Sequence, residues 1–237
     1  MPPRPFSIRR LLFALGVALT LAHAQTEAPV DVRMRLTLPR ESSGHPAPPA
    51  VIWLNPLPQT LAEPFLPQRR YTLLQKNRMF TPHLLIIPVG SVVQFPNADP
   101  FFHNVFSLFD GKRFDLGLYE AGSTKAVTFS HEGVSYIFCN IHPEMSAVVL
   151  TLSTRLYAVA DSNGAFQLPG VPAGDYELHI WIEGVVQPAL AQMVRRVHLT
   201  GGSGDLGEIT ITSLQHDSKS HTNLYDQPYD KDVRSPY

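Results

Sequence analysis

Apolar and polar residues alternate strictly along Val30-Asp31-Val32-Arg33-Met34-Arg35-Leu36-Thr37-Leu38, the period of a strand with one buried face. A loop rich in Pro, Ser and Gly (39–49) separates this run from a second apolar run at 50–54. Residues 56–68 are proline-rich and read as a linker. From 71 to 152 short strand-like runs predict elements at 84–89, 91–95, 104–108, 126–129, 134–139 and 147–152. Pro96-Asn97-Ala98-Asp99-Pro100 and Asp110-Gly111 mark turns between them, since Asn, Asp and Gly tolerate the backbone angles a turn needs. Farther on, Asn163-Gly164 between 157–160 and 165–168 predicts a hairpin. Pro172-Ala173-Gly174-Asp175 then predicts the next turn, and Tyr176, Leu178, Ile180 and Ile182 alternate with Glu177, His179 and Trp181. No long amphipathic helix pattern is present. The chain is therefore expected to be all-β, in two β units spanning 71–153 and 154–213, with 25–70 as an N-terminal β segment and linker. Beyond Ile211 periodicity is lost, and 214–237 reads as a disordered tail.

The first residues follow a different rule. Arg4, Arg9 and Arg10 precede a short apolar run at 11–21, and Ala22-His23-Ala24 supplies small residues where a signal peptidase reads. Residues 1–24 are therefore expected to be a secretory signal peptide, with a retained membrane anchor as the alternative. No Cys follows the run, which leaves a lipoprotein anchor without support. Arg9-Arg10 hints at a twin-arginine signal in flanks that fit it poorly. The predicted location is periplasmic. The whole chain carries a formal charge of −1, and losing three Arg with the signal leaves about −4, which disfavours nucleic acid or an acidic membrane as partner. No later stretch reaches the length of a transmembrane segment.

The chain has a single cysteine. Disulfide stapling is thereby excluded, and a lone thiol in an oxidising compartment calls for something that uses or shields it. Cys139 lies in Tyr136-Ile137-Phe138-Cys139-Asn140-Ile141-His142-Pro143-Glu144-Met145, where a thiolate, an imidazole and a thioether follow one another at the end of a predicted strand. A second imidazole, His103, belongs to a different predicted strand. Two His, one Cys and a weak axial Met make up the ligand set of a blue-copper electron-transfer site. The soft thiolate favours Cu(I), whereas imidazoles suit either oxidation state. The expected metal ligands are His103, Cys139, His142 and Met145, holding one copper ion, with Glu144 as an alternative to Met145 in the axial place.

The Cys-x-x-His-x-x-Met spacing resembles the short ligand loop of amicyanin among the cupredoxins, and Asn104 after the upstream His matches that family too. The resemblance covers roughly 71–153 and implies a Greek-key β-sandwich. It also implies that Asn104 hydrogen-bonds toward the Cys loop. The segments Phe95-Pro96-Asn97-Ala98-Asp99, His103-Asn104-Val105, Phe114-Asp115-Leu116-Gly117 and Cys139-Asn140-Ile141-His142 resemble bacterial proteins labelled methylamine utilization protein. Those proteins end in a second, smaller sandwich of the transthyretin-like or carboxypeptidase regulatory-like kind, which 161–181 resembles here. Such sandwiches open with two strands before the Asn-Gly turn. Residues 30–38 and 50–54 are candidates for them, which would make the cupredoxin an insertion.

Blander readings stand beside these. Cys139 alone would be a buried inert thiol, and zinc or metal storage competes for the same donors. His83 and His131 read as polar positions at strand ends, and His216 and His221 as tail residues. Trp181 and Phe166 read as core or surface packing of the second unit. A c-type haem needs a second Cys, and no Gly-x-Ser-x-Gly, His-Glu-x-x-His or phosphate loop is present. The expected function is therefore not enzymatic: an exported mononuclear type 1 copper protein that carries single electrons between redox partner proteins. The alternatives are a copper carrier or sensor without redox turnover, and an envelope docking module.

Overall fold

The computed structural model describes residues 28–39, 47–60, 63–68, 70–108, 111–202, 204–212 and 225. The expected signal peptide and nearly all of the expected tail lie outside them. Strands dominate, in this order: β1 (Val30–Thr37), β2 (Ala50–Pro56), β3 (Tyr71–Thr72), β4 (Leu74–Lys76), β5 (Met79–Thr81), β6 (Leu84–Pro88), β7 (Ser91–Pro96), β8 (His103–Ser107), β9 (Phe114–Tyr119) and β10 (Thr124–Phe129). Then come β11 (Gly133–Phe138), β12 (Ser146–Leu152), β13 (Tyr157–Val159), β14 (Ala165–Val171), β15 (Gly174–Ile182), the short helix α1 (Gln187–Ala191), β16 (Arg195–Leu199) and β17 (Asp205–Thr210). Helix α1 has Pro near its start, where a missing N–H costs nothing. Among the described residues no helix is long and apolar enough to cross a membrane. The all-β expectation is met.

The central unit is a sandwich. A sheet in the order β6-β12-β11-β8-β9 faces a sheet in the order β10-β7-β3, with the small hairpin β4-β5 beside them. Its core contains Phe95, Val105, Tyr119, Phe129, Ile137, Cys139, Met145 and Val149. The second unit has sheets β14-β1-β17 and β13-β2-β15-β16. Strand β1 alternates buried and exposed residues along its whole length, and it pairs antiparallel with β14 and parallel with β17. Strand β2 pairs with β13 and β15. The two strands before the central unit thus lie in the same sheets as the strands after it.

The Asn163-Gly164 turn forms, but the ladder expected across it does not. Asp161 Oδ1 accepts the N–H groups of Asn163 and Ala165, each at 2.8 Å, and Gly164 takes φ +74°. β13 then pairs with β2 and β14 with β1, because open edges in two different sheets were available to the two arms. The turn is a corner between layers.

The two units meet across β12. On β12, Ala147 and Val149 point into the central core, while Val148, Leu150 and Leu152 belong to the apolar cluster of the second unit. Trp53, Ile52, Leu178, Ile180 and Trp181 lie in that same cluster. The Trp181 indole N–H donates to the Tyr136 hydroxyl at 3.2 Å across the junction. Trp181 is fully buried, since the outer face of the β6-β12-β11 region covers it.

Candidate metal centre

Strand β8 brings His103 and Asn104 into the sandwich with every one of its residues buried. Strand β11 ends at Phe138, which pairs with Phe106 of β8 on one side and Ser146 of β12 on the other. Cys139 to Met145 is therefore the loop of a hairpin whose neighbour already carries His103. Two backbone bonds close that loop: Cys139 N–H to Met145 O at 3.3 Å and Met145 N–H to His142 O at 3.0 Å.

The donor atoms converge. His103, Cys139 and His142 place one ligand atom each within 4.8 Å of one another, and all three residues are buried. His103 Nδ1 is 3.1 Å from His142 Nδ1, and Cys139 Sγ lies 3.8 Å and 3.6 Å from the two nitrogens. A point equidistant from the corners of that triangle is about 2 Å from each, within the roughly 2.0–2.3 Å of first-row metal bonds to imidazole and thiolate. Among the described residues no other such group of His, Cys and acidic side chains is present. The site fits a trigonal His2Cys metal centre.

Met145 is 0% exposed and shares the buried cluster of Cys139. Glu144 is exposed and takes no part in the donor group. His83 and His131 lie elsewhere: His83 bonds Ser146 O and Glu183, and His131 Nδ1 meets the Ser130 hydroxyl.

Burial holds the Cys139 thiol above the ordinary cysteine range, against the backbone N–H groups of Asn104, Ile141 and His142 that face its sulfur. His142 is held below the ordinary histidine value by burial first and His103 second. The metal-free site therefore presents a neutral imidazole at His142 and a protonated thiol, so that metal binding releases a proton. Asn104 hydrogen-bonds toward the Cys loop as expected, but through its backbone N–H, while its side chain turns away. Its Nδ2 donates to Asp115 Oδ1 at 2.7 Å, because β9 lies alongside β8, and only its backbone N–H serves the sulfur.

One neighbour escaped the sequence reading. Asp99 Oδ2 is 2.9 Å from His103 Nε2, and the same carboxylate accepts the N–H groups of Asn77 at 2.6 Å and Arg78 at 3.0 Å. Burial opposes its charge, yet the Arg78 N–H, the His103 ring and the Asn77 N–H together hold the carboxyl below the usual carboxylate range. Its sequence signals were an acid four positions before a candidate ligand, inside a segment read as a turn, and a place in one of the segments that carry the family resemblance. Phe101 packs against both imidazoles, with ring centroids 5.2 Å and 5.5 Å away, and the Arg78 guanidinium lies over the Phe101 ring, 5.3 Å from its centroid.

No protein-family model matches the chain, and no curated protein matches it. Among solved structures, the chain is similar to a purple cupredoxin from Nitrosopumilus maritimus, at 26% identity and TM-score 0.32, covering 35% of this chain and 99% of that one. A reduced amicyanin variant aligns at 18% identity and TM-score 0.34, covering 38% of this chain and 92% of that chain. A copper-containing nitrite reductase from Thermus scotoductus aligns at 22% identity and TM-score 0.34, over 49% of this chain but only 28% of the reductase. These scores are low, so the site is read from its own geometry.

Proposed function

We propose that this chain is a mononuclear copper protein of the cupredoxin type that passes single electrons between partner proteins. The observation that carries the reading is the buried triangle of two imidazole nitrogens and one sulfur, with no carboxylate among the donors. Bound copper would supply a one-electron couple that a thiolate biases toward Cu(I) and imidazoles accept in both states.

The protein's own contribution is rigidity and a shaped entry. His103 is fixed by a fully buried strand, and the Cys139–Met145 loop by its two internal backbone bonds. Such donors move little when charge arrives or leaves. Three N–H groups directed at the sulfur stabilise the thiolate form. Met145, buried beside Cys139, would be the further residue to hold the copper, as a weak thioether donor. Ile141 at 42% and Phe102 at 54% exposure flank the histidines with apolar surface, and this is the proposed contact for a redox partner. Export to the periplasm is part of the proposal and rests on the character of residues 1–24.

A redox titration with a chelator challenge tests the carrier role. An electron carrier keeps its copper against a moderate chelator in both oxidation states and cycles reversibly. Release in one state would instead make the protein a copper carrier or sensor.

A further inference from the structure

We propose that Asp99 is a positioning residue for the metal centre, fixing the His103 ring with Nδ1 bare toward the other donors and strengthening that nitrogen as a ligand. The part concerning donor strength rests on the copper reading above; the part concerning ring position does not.

The geometry begins at a hairpin tip. Lys76 pairs with Met79 in β4–β5, and Asn77 and Arg78 between them have φ +57° and +56°. Two consecutive left-handed residues make the two-residue turn that suits a twisted hairpin. In this turn the N–H groups of Asn77 and Arg78 both point at the Asp99 carboxylate, one to each oxygen. The other side of Asp99 is fixed as well, because its own N–H donates to Asn97 Oδ1 at 3.0 Å and Asn97 Nδ2 donates to Phe101 O at 2.8 Å. Asp99 is 5% exposed and His103 0%. The carboxylate is thus oriented by bonds that do not involve the His103 ring.

What it does to His103 follows from donor and acceptor counting. Both Asp99 oxygens receive backbone N–H donors, which favour the ionised carboxylate, so the group facing His103 Nε2 is an acceptor. The ring proton therefore sits on Nε2, and Nδ1 keeps its lone pair. That lone pair is the one 3.1 Å from His142 Nδ1 and 3.8 Å from Cys139 Sγ. A carboxylate on the far nitrogen of a ligating histidine fixes its tautomer and raises its basicity. A negative charge held there also favours the more highly charged metal state, so Asp99 lowers the reduction potential of the centre.

Two variants of the full chain separate these effects. In metal-free protein, nitrogen-15 NMR of the His103 ring should show the Nε2–H tautomer in the parent and a mixture of tautomers in Asp99→Ala. Should Asp99→Ala lose its fold, the parent's tautomer alone decides this arm, and an Nδ1–H ring overturns the proposal. So does a folded Asp99→Ala variant whose His103 stays wholly Nε2–H. In copper-loaded protein, Asp99→Asn should weaken the preference for Cu(II) over Cu(I) about tenfold, an upward shift of about 59 mV for a one-electron couple. Asp99→Ala should lower copper affinity roughly 10–100-fold. A potential unchanged in Asp99→Asn overturns the donor-strength claim. Failure of the copper reading would show earlier and separately, as absence of a thiolate-to-copper band in the parent, while the NMR arm still decides the ring position.

Discussion

At the scale of single residues, the site is organised by what is buried beside what. Met145 is wholly buried next to Cys139, and Glu144, its neighbour in sequence, is exposed. Glu144→Gln should therefore leave the visible spectrum and potential of the copper-loaded protein unchanged. Met145→Leu should shift both, with the potential rising as a weak donor is lost; absorption spectroscopy and voltammetry read this, and the reverse pattern would make Glu144 the axial group. The donors were legible in the sequence because Cys139, His142 and Met145 occupy one short loop, and because a lone cysteine is conspicuous. His103 was legible as the imidazole on another strand. Asp99 was not. Its role depends on the Asn77-Arg78 tip of a hairpin whose short strands carry too few residues to show a period.

Among the elements, turns and pairs decide how layers connect. Gly164 has φ +74° and a Cβ there would lie 2.1 Å from Leu36 O, whose residue also donates its N–H to Gly164 O at 2.7 Å. Gly164→Ala should destabilise the protein by about 1–3 kcal/mol, measured by urea denaturation; a neutral effect would mean the corner is looser than this geometry. A second device ties the loop before β6 to the end of β15. Glu183 accepts from the His83 ring at 2.7 Å, and that hydrogen bond raises the His83 pKa despite partial burial. A raised histidine stabilises fully below its unfolded value of 6.5 and loses that contribution as pH rises through the higher folded value. The stability difference between the parent and His83→Gln should therefore shrink on going from mildly acidic to alkaline pH. Its size should stay below about 1 kcal/mol, since the ring is part-exposed; a difference independent of pH would contradict the pairing. The turn itself was readable from Asn163-Gly164. The separation of its arms was not, because the partner strands β1 and β2 lie more than a hundred residues earlier in the chain.

Over the whole molecule, the two β units are joined by a face and not by a linker alone. Strand β12 buries both its faces, one in each core. The alternation along β15 placed Trp181 outward, yet it is fully buried and bonded to Tyr136. A covering layer contributed by another unit leaves no mark on the local period, so the pattern left open whether Trp181 packs in a core or on the surface. A strand buried in both cores predicts shared unfolding. Loss of the copper band and loss of the far-ultraviolet signal should coincide in one transition, and Trp181→Ala should lower stability by about 3–5 kcal/mol as seen by either probe. Two separated transitions would show that the units fold independently and that the junction contributes little.

The central claim, a trigonal thiolate and bis-imidazole copper centre, is tested most directly by the visible and EPR spectra of the metal-free protein after one equivalent of Cu(II). An intense thiolate-to-copper band with narrow copper hyperfine splitting is expected, absent in Cys139→Ser while the folded state is kept. A spectrum without a strong visible band, or one that Cys139→Ser leaves unchanged, would contradict the account.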